Sequence, residues 1–246
     1  MPLVELLTIE LLAAAGVAVI AAFISGFAGF GLNLVMTPIL ALLFSPVEAI
    51  PVITVLGLVN VVRMVGGTWK HMDRREVVVM GLTSIVTVPL GAWVLVSVDA
   101  DLMKRAIAGI VLLFTLILML GWRYHGPRTT ATHAGVGLLS GFLSSGVGIG
   151  GPPVVLYQLA RRGDPTVGRA NLVGFFTILA VATIVAYLFN GTLDSTAWLR
   201  SGLLAPFVLG GTWFGMRLFN PKSAPLYRKV ALGFLLCVSV MIVLVG

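Results

Sequence analysis

The chain has 246 residues, of which 59% are hydrophobic and 10% are charged, and its formal net charge is +7. A soluble domain carries about 25% charged residues, so this composition excludes an ordinary soluble protein. The stretches 11–47 and 129–160 contain no Lys, Arg, Asp or Glu. Long apolar runs of this kind are typical of bilayer spans. We therefore predict a polytopic all-α membrane protein, whose basic charge reflects its orientation in the lipid bilayer and not nucleic-acid binding.

Ten hydrophobic stretches follow one another along the chain. They cover 8–25, 31–44, 48–65, 77–97, 104–122, 131–145, 150–160, 169–189, 198–219 and 228–246. The third to fifth and the eighth to tenth have a full spanning length, whereas the second and seventh give helices of only about 21 and 17 Å against a hydrocarbon core of about 30 Å. Each short stretch follows a glycine-rich break, which membranes tolerate only beside protein or water. The first two stretches, and likewise the sixth and seventh, are predicted to form broken or re-entrant helical hairpins.

The two halves of the chain share a pattern of residues. Matches at an offset of 115 are Ser25 with Ser140, Gly31 with Gly146 and Pro38 with Pro153, and matches at 121 are Ala49 with Ala170 and Asp73 with Asp194. We expect 1–126 and 127–246 to be two repeats of one membrane domain. Each repeat would hold one hairpin followed by three transmembrane helices.

The basic residues indicate how the repeats are oriented. If each hairpin returns to its own side and every other stretch crosses, 13 basic residues share one side and three (Lys104, Arg105 and Arg200) face the other. The positive-inside rule favours this arrangement, which makes the repeats inverted and places both termini outside the cytoplasm. Inverted repeats with broken helices are typical of secondary transporters. The 13 residues are Arg63, Lys70, Arg74, Arg75, Arg123, Arg128, Arg161, Arg162, Arg169, Arg217, Lys222, Arg228 and Lys229.

The two glycine-rich breaks are the predicted binding site for a small anion. A helix that starts at each break would present free N–H groups and about half a positive charge, and glycine lets a ligand approach the backbone. The candidate binding residues are Gly29, Gly31, Asn33, Ser144, Ser145, Gly146, Gly148, Gly150, Gly151 and Asn171.

The glycines of the two breaks have two other interpretations. In the first, these glycines serve only close helix packing, as do the pairs Gly137/Gly141 and Gly211/Gly215. A dinucleotide fingerprint, which Gly146, Gly148 and Gly151 match in spacing, is excluded because no strand precedes it and no acidic residue follows at the required distance of about 20 positions.

The second break, Gly146-Val-Gly-Ile-Gly-Gly-Pro-Pro153, resembles the sulfite exporter TauE/SafE family. The first, Gly29-Phe-Gly-Leu-Asn-Leu-Val-Met-Thr-Pro38, is similar to the N-terminal motif of that family but carries Leu32-Asn33 where many members have further glycines. The resemblance covers nearly the whole chain. It implies transport of sulfur-containing anions such as sulfite or organosulfonates, often outward. We expect transport by alternating access in a bacterial or archaeal cell membrane. A passive anion channel is the alternative.

Three charged residues are candidates for the pathway or for coupling. Arg63 and Arg169 would attract an anion to an inward vestibule, although either could extend its charged end to lipid headgroups instead. Glu48 is the candidate for proton coupling, unless it is an exposed loop residue. No cofactor, metal site or enzyme activity is predicted, because the three histidines lie far apart in the sequence and have no carboxylate companion.

Overall fold

A computed structural model of the protein describes residues 9–122, 124–161, 164–218 and 233. Nine α-helices occupy these ranges, with a 3-10 turn at Trp69–His71. The helices are α1 (Ile9–Ala28), α2 (Leu32–Leu43), α3 (Pro46–Thr68), α4 (Arg74–Ser97), α5 (Ala100–Met119), α6 (Thr130–Val147), α7 (Gly151–Leu159), α8 (Pro165–Phe189) and α9 (Ser195–Arg217). The tenth predicted stretch, 228–246, lies outside the described residues.

Five helices, α1, α3, α4, α5 and α8, are long and apolar enough to cross a membrane. This confirms a polytopic all-helical membrane protein. The predicted stretch 198–219 forms α9, which has 23 residues but is not one of the five, because charged and small polar residues lower its hydropathy. Four of the predicted full-length spans match candidate helices: 48–65, 77–97, 104–122 and 169–189.

Two pairs of consecutive helices have arms of unequal length. In the first pair α1 has 20 residues and α2 has 12, and in the second α6 has 18 and α7 has 9. Rising 1.5 Å per residue, the second arms are only about 18 and 14 Å long, as predicted. Helix α1 is itself long and apolar enough to be a candidate span, so the first hairpin can be either re-entrant or one whose first arm crosses the membrane.

The starts of the helices divide them into two groups. The longer helices after α1 each begin with a side chain that accepts a backbone N–H of the first turn, which is the ordinary way to satisfy a helix N-terminus. In the described part of the chain, α2 and α7 begin at Gly31 and Gly150 with no such side-chain cap. The capping residues of the longer helices are Ser45, Asp73, Asp99, Thr129, Asp164 and Asp194.

One of these capping residues, Asp164, also has a lowered pKa. Asp164 lies in the loop before α8, where its carboxylate accepts a hydrogen bond from the backbone N–H of Thr166 at 2.8 Å. Hydrogen bonds from Thr166 hold the pKa of Asp164 below its usual value, because they stabilise the charged form. The same charged carboxylate is the capping acceptor at the start of α8.

Helices of the first half pack mainly on helices of the second. The first hairpin lies on α9 through α1, and the second hairpin lies on α4 through α6. The long helices also contact helices of the other half of the chain: α3 contacts α9, and α8 contacts α4. In addition, α3 and α8 contact each other. Each contact thus has a counterpart in which the two halves exchange roles.

Glycines at the two hairpin-to-helix interfaces allow the backbones to approach closely. A Cβ at Gly141 of α6 would collide with the carbonyl oxygen of Ser84 in α4, and one at Gly215 of α9 would collide with that of Phe23 in α1. Gly137 and Gly211 make equivalent approaches. The two small-residue pairs proposed for packing therefore have that role.

The outer surface is apolar, as a bilayer requires. Along α4, exposed apolar side chains recur at helical spacing over the whole length of the helix. A soluble protein rarely exposes a continuous stripe of this size, whereas a lipid-facing helix needs one. The residues are Val78, Leu82, Ile85, Val86, Leu90, Trp93 and Val96.

Candidate functional site

The two glycine-rich breaks line one internal cavity of about 70 Å³. A single water needs about 10–15 Å³ on the same measure, so the cavity has room for a few waters or one small oxyanion. Helices α3, α5 and α8 complete its walls. The predicted site residues that line it are Gly29, Gly31 and Asn33 of the first break and Ser144, Gly150 and Gly151 of the second.

Four predicted binding residues lie elsewhere. The Ser145 hydroxyl donates to the carbonyl oxygen of Gly141 at 2.9 Å, and Gly146 packs against Gly91 of α4. Gly148 ends α6, and Asn171 accepts a hydrogen bond from the backbone N–H of Asp73 at 2.8 Å. These four residues support the site or the interface between halves but do not line the cavity.

The first break presents backbone donors to the cavity. Gly31, with a φ of 112°, has a left-handed conformation that favours glycine, and α2 starts directly after it. The first intrahelical bond runs from Val35 N–H to Gly31 O at 3.1 Å, which leaves the N–H groups of the three residues before Val35 without a helical partner. These donors, at Leu32, Asn33 and Leu34, belong to residues that line the cavity.

The second break contributes fewer donors. Helix α7 starts at Gly151 and continues with Pro152 and Pro153, whose nitrogens carry no hydrogen. Its first turn therefore offers the N–H of Gly151 and its dipole, but not the row of donors that α2 offers. Both helices point their positive ends at the same cavity.

A side chain links the two breaks directly. Asn33 Nδ2 donates to the carbonyl oxygen of Gly148 at 3.4 Å, and Thr37 Oγ1 donates to the same oxygen at 3.3 Å. Gly148, with a φ of 73°, is in the left-handed region and closes α6. The start of α2 is thereby held against the end of α6.

Ser144 presents its hydroxyl group at the cavity wall. The residue is only 6% exposed and lines the cavity, yet its hydroxyl makes no hydrogen bond to the described part of the chain. Buried hydroxyls are almost always hydrogen-bonded. A polar ligand in the cavity would supply the missing partner.

Among the described residues, no charged side chain lines the cavity. Arg169 comes nearest to the first break: its Nη2 donates to the carbonyl oxygen of Gly26 at 3.1 Å, and its side chain packs along Gly29. It therefore supports the last turn of α1 from behind the cavity.

The other two charged candidates lie at the surface. Arg63 is exposed near the end of α3. The Glu48 side chain is 52% exposed and pairs with Arg200 of α9.

A buried ionic cluster surrounds Glu76 and was not predicted from the sequence. This carboxylate, 4% exposed, lies at the start of α4 and accepts hydrogen bonds at 2.8 Å from both Arg128 and Arg161. Gln158 also donates to it, and His133 Nε2 lies 4.0 Å away. The available signal was that Arg128 and Arg161 border the uncharged stretch 129–160. The cluster fastens both ends of the second hairpin to α4.

Broken helices whose ends share an internal cavity, inside a protein with several spans, are the organisation of a membrane transporter. The comparison with known families agrees: residues 14–242 match the family model described as Sulfite exporter TauE/SafE. The chain belongs to this family. It is therefore a membrane transporter and not an enzyme, as predicted.

A curated relative gives the same classification. The protein named "Probable sulfite/organosulfonate exporter TauE" from Cupriavidus necator is 25% identical over 227 residues, which cover 88% of this chain and 87% of the relative. No solved structure matches the chain significantly.

Proposed function

We propose that the protein is a secondary transporter that moves small sulfur-containing oxyanions, sulfite or a small organosulfonate, out of the cell by alternating access. The anion would bind in the cavity between the two breaks. The observation that carries this proposal is that α2 and α7, whose starts line the cavity, are the two helices after α1 that begin without a side-chain cap in the described chain. An oxyanion would take the place of the missing caps.

The proposed site suits an anion without any fixed cation. Each helix start contributes about half a positive charge, and backbone N–H groups are donors only. Ser144 and Asn33 add side-chain donors. Carboxylates lie outside the cavity in the described residues, so nothing there would repel an oxyanion.

The proposal includes the inverted repeats 1–126 and 127–246, with the basic loops in the cytoplasm and both termini outside it. The reciprocal packing of α1 on α9 and of α6 on α4 supports it. So do two ion-pair clusters: the Glu48–Arg200 pair at the predicted outer side and the Glu76 cluster at the predicted inner side. The arginines in each cluster are ones that the charge argument assigns to that side: Arg200 to the outer side, and Arg128 and Arg161 to the inner side.

Outward movement follows from the membrane potential. With the cell interior negative, each negative charge that leaves gains about 2.3 kcal/mol per 100 mV. Export of an anion therefore needs no coupling ion. This leaves Glu48, exposed and ion-paired, with a surface role in the proposed cycle.

Reconstituted vesicles test the function. Purified protein in liposomes should exchange radiolabelled sulfite, under anaerobic conditions, faster when unlabelled sulfite is present on the other side. A passive channel would show no such trans-stimulation. Acetate and chloride serve as competing anions, and failure of sulfite and of methanesulfonate to bind at all would refute the proposed function.

The Ser144→Ala variant tests the site. Because hydrogen bonds to charged groups contribute about 1.5–3 kcal/mol, removal of this hydroxyl should weaken sulfite binding about tenfold or more. The matched control is Ser84→Ala, since Ser84 is equally buried but donates to Gly81 O in α4. Equal sulfite affinity in both variants would place the anion elsewhere.

A further inference from the structure

We propose that Ser25 is a further anion-binding residue, and that Asn60 and Thr212 direct its hydroxyl hydrogen into the cavity. This inference rests on the proposed function, because it needs an anion between the two breaks. It extends the site to α3 and α9 and gives a binding role to residues that were not among the predicted binding residues.

Three buried side chains form a continuous hydrogen-bonded row. Thr212 Oγ1 of α9 donates to Asn60 Oδ1 of α3 at 2.7 Å, and Asn60 Nδ2 donates to Ser25 Oγ of α1 at 2.8 Å. All three are at most 2% exposed. Ser25 and Asn60 line the cavity, whereas Thr212 does not.

The hydroxyl hydrogen of Ser25 is not used in any hydrogen bond to the described part of the chain. A serine hydroxyl has one hydrogen and two lone pairs. Asn60 occupies one lone pair of Ser25, and the Ser25 hydroxyl donates to nothing in the described part of the chain. Its hydrogen is therefore available to a ligand, as is that of Ser144 in the second half. An oxyanion would accept one hydrogen bond from each half of the protein.

Thr212 determines the direction of the row. Its single hydrogen has two acceptors in reach, Asn60 Oδ1 and the carbonyl oxygen of Val208, both at 2.7 Å. When the hydrogen goes to Asn60, the amide points its NH₂ group at Ser25 and the serine hydrogen stays free. When it goes to Val208, the amide turns around and Ser25 must donate to Asn60 Oδ1. Only lone pairs then face the cavity, and these repel an oxyanion.

Anion affinity should therefore depend on a hydroxyl that the anion does not touch. Ser25 is the binding residue in this arrangement, and Asn60 and Thr212 are positioning residues. The chemistry selects ligands that present an unprotonated oxygen to Ser25, such as sulfite or a sulfonate.

Sulfite titrations of purified Ser25→Ala, Thr212→Val and the double variant test the row. Each single substitution should weaken binding about tenfold, as expected for loss of a hydrogen bond to a charged group. The double variant should be no weaker than Ser25→Ala, because both changes remove the same donor. Thr212→Ser keeps the hydroxyl and should bind like the unchanged protein.

Matched controls distinguish loss of the hydrogen-bonded row from loss of any buried hydroxyl. Thr183 and Ser201 are buried in α8 and α9 and donate only to the carbonyl oxygens of Leu179 and Ala197, at 2.8 and 2.7 Å. Thr183→Val and Ser201→Ala should leave the sulfite dissociation constant unchanged.

Four results would overturn the inference. Unchanged affinity in Thr212→Val, or additive losses in the double variant, would show that Thr212 does not act through Ser25. If Ser25→Ala binds normally while Ser144→Ala does not, the role of Ser25 fails but the proposed function stands. If Thr212→Val fails to fold, equal affinity of Thr212→Ser and Ser25→Ala would contradict the inference on its own.

Discussion

Asn33 of the first break donates a hydrogen bond to the backbone carbonyl oxygen of Gly148 in the second, at 3.4 Å and across 115 residues of chain. The same offset relates Gly31 to Gly146 and Pro38 to Pro153. Asn33 and Gly148 thus have corresponding positions in the two halves and are also in contact. If an axis exchanges the halves, corresponding residues can touch only near it, so the contact supports the proposed repeat symmetry, and the axis would then lie beside the cavity.

The contact between the breaks yields the first prediction. Asn33→Ala removes a cavity donor as well as the bond to Gly148, and should weaken sulfite binding several-fold, by about 1 kcal/mol. Thr37→Val is the control, because Thr37 donates to the same carbonyl oxygen but does not line the cavity. Calorimetric titration measures the sulfite affinity of both variants. An equal loss of affinity in both would show that Asn33 only holds the two breaks together and does not bind the anion.

The buried cluster at α4 should matter for stability. Glu76→Gln removes the carboxylate that pairs with Arg128 and with Arg161, although Arg161 keeps its contact to Asp73 at 3.4 Å. Because both arginines are about a quarter exposed, the free energy of unfolding should fall by about 2 kcal/mol, less than for a fully buried pair. Glu48→Gln breaks an exposed pair and should cost less than about 1 kcal/mol. Thermal melting in one detergent compares the two, and an equal effect of both substitutions would contradict the role of the cluster.

Helix packing gives a prediction that does not involve the anion. Gly141→Ala in α6 would drive a methyl group into the Ser84 carbonyl and the Thr87 hydroxyl, and should lower the melting temperature by several degrees. Gly135 of the same helix has no atom within 4 Å of an added Cβ. Gly135→Ala should instead stabilise α6 by about 0.5–1 kcal/mol. A stable Gly141→Ala variant would rule out the close α4–α6 contact.

Arg169 is predicted to act through the first break. Arg169→Gln loses the bond to Gly26 O and the packing along Gly29, so the last turn of α1 loosens. We expect a sulfite affinity several-fold lower, from a loss of about 1 kcal/mol. Arg63→Gln, which alters an exposed residue, should leave affinity unchanged. A larger effect at Arg63 would favour direct attraction of the anion over support of the break.

Much of the fold could be predicted because the membrane imposes simple length rules. The short arms were visible as apolar stretches too short to span, each preceded by glycines. The serine pair shows the limit of this reasoning: Ser144 lines the cavity and Ser145 faces Gly141 O. Successive residues on a helix point about 100° apart, so their roles depend on the rotation of α6, which only packing on α4 determines.

Other residues were missed for identifiable physical reasons. Asn60 is a single amide in a continuous apolar helix, and its importance arises from Ser25 and Thr212, which are distant in sequence. Glu76 follows Asp73 at a helix start, where acidic residues are ordinary caps. Asn171 was expected along the pathway, but it accepts the backbone N–H of Asp73. No sequence spacing predicts a bond between residues 98 apart.

The proline pair at the start of α7 makes the two ends of the cavity chemically unequal. Sulfite is pyramidal, with its oxygens on one face and the sulfur lone pair on the other, and a sulfonate carries its carbon where that lone pair stands. A ligand of this shape would turn its oxygens toward the donor-rich start of α2 and its opposite pole toward Pro152 and Pro153. Because Pro152 and Pro153 lack backbone N–H groups, the bound ion would have one preferred orientation in the cavity. The same site could then accept both sulfite and its carbon-bearing analogues.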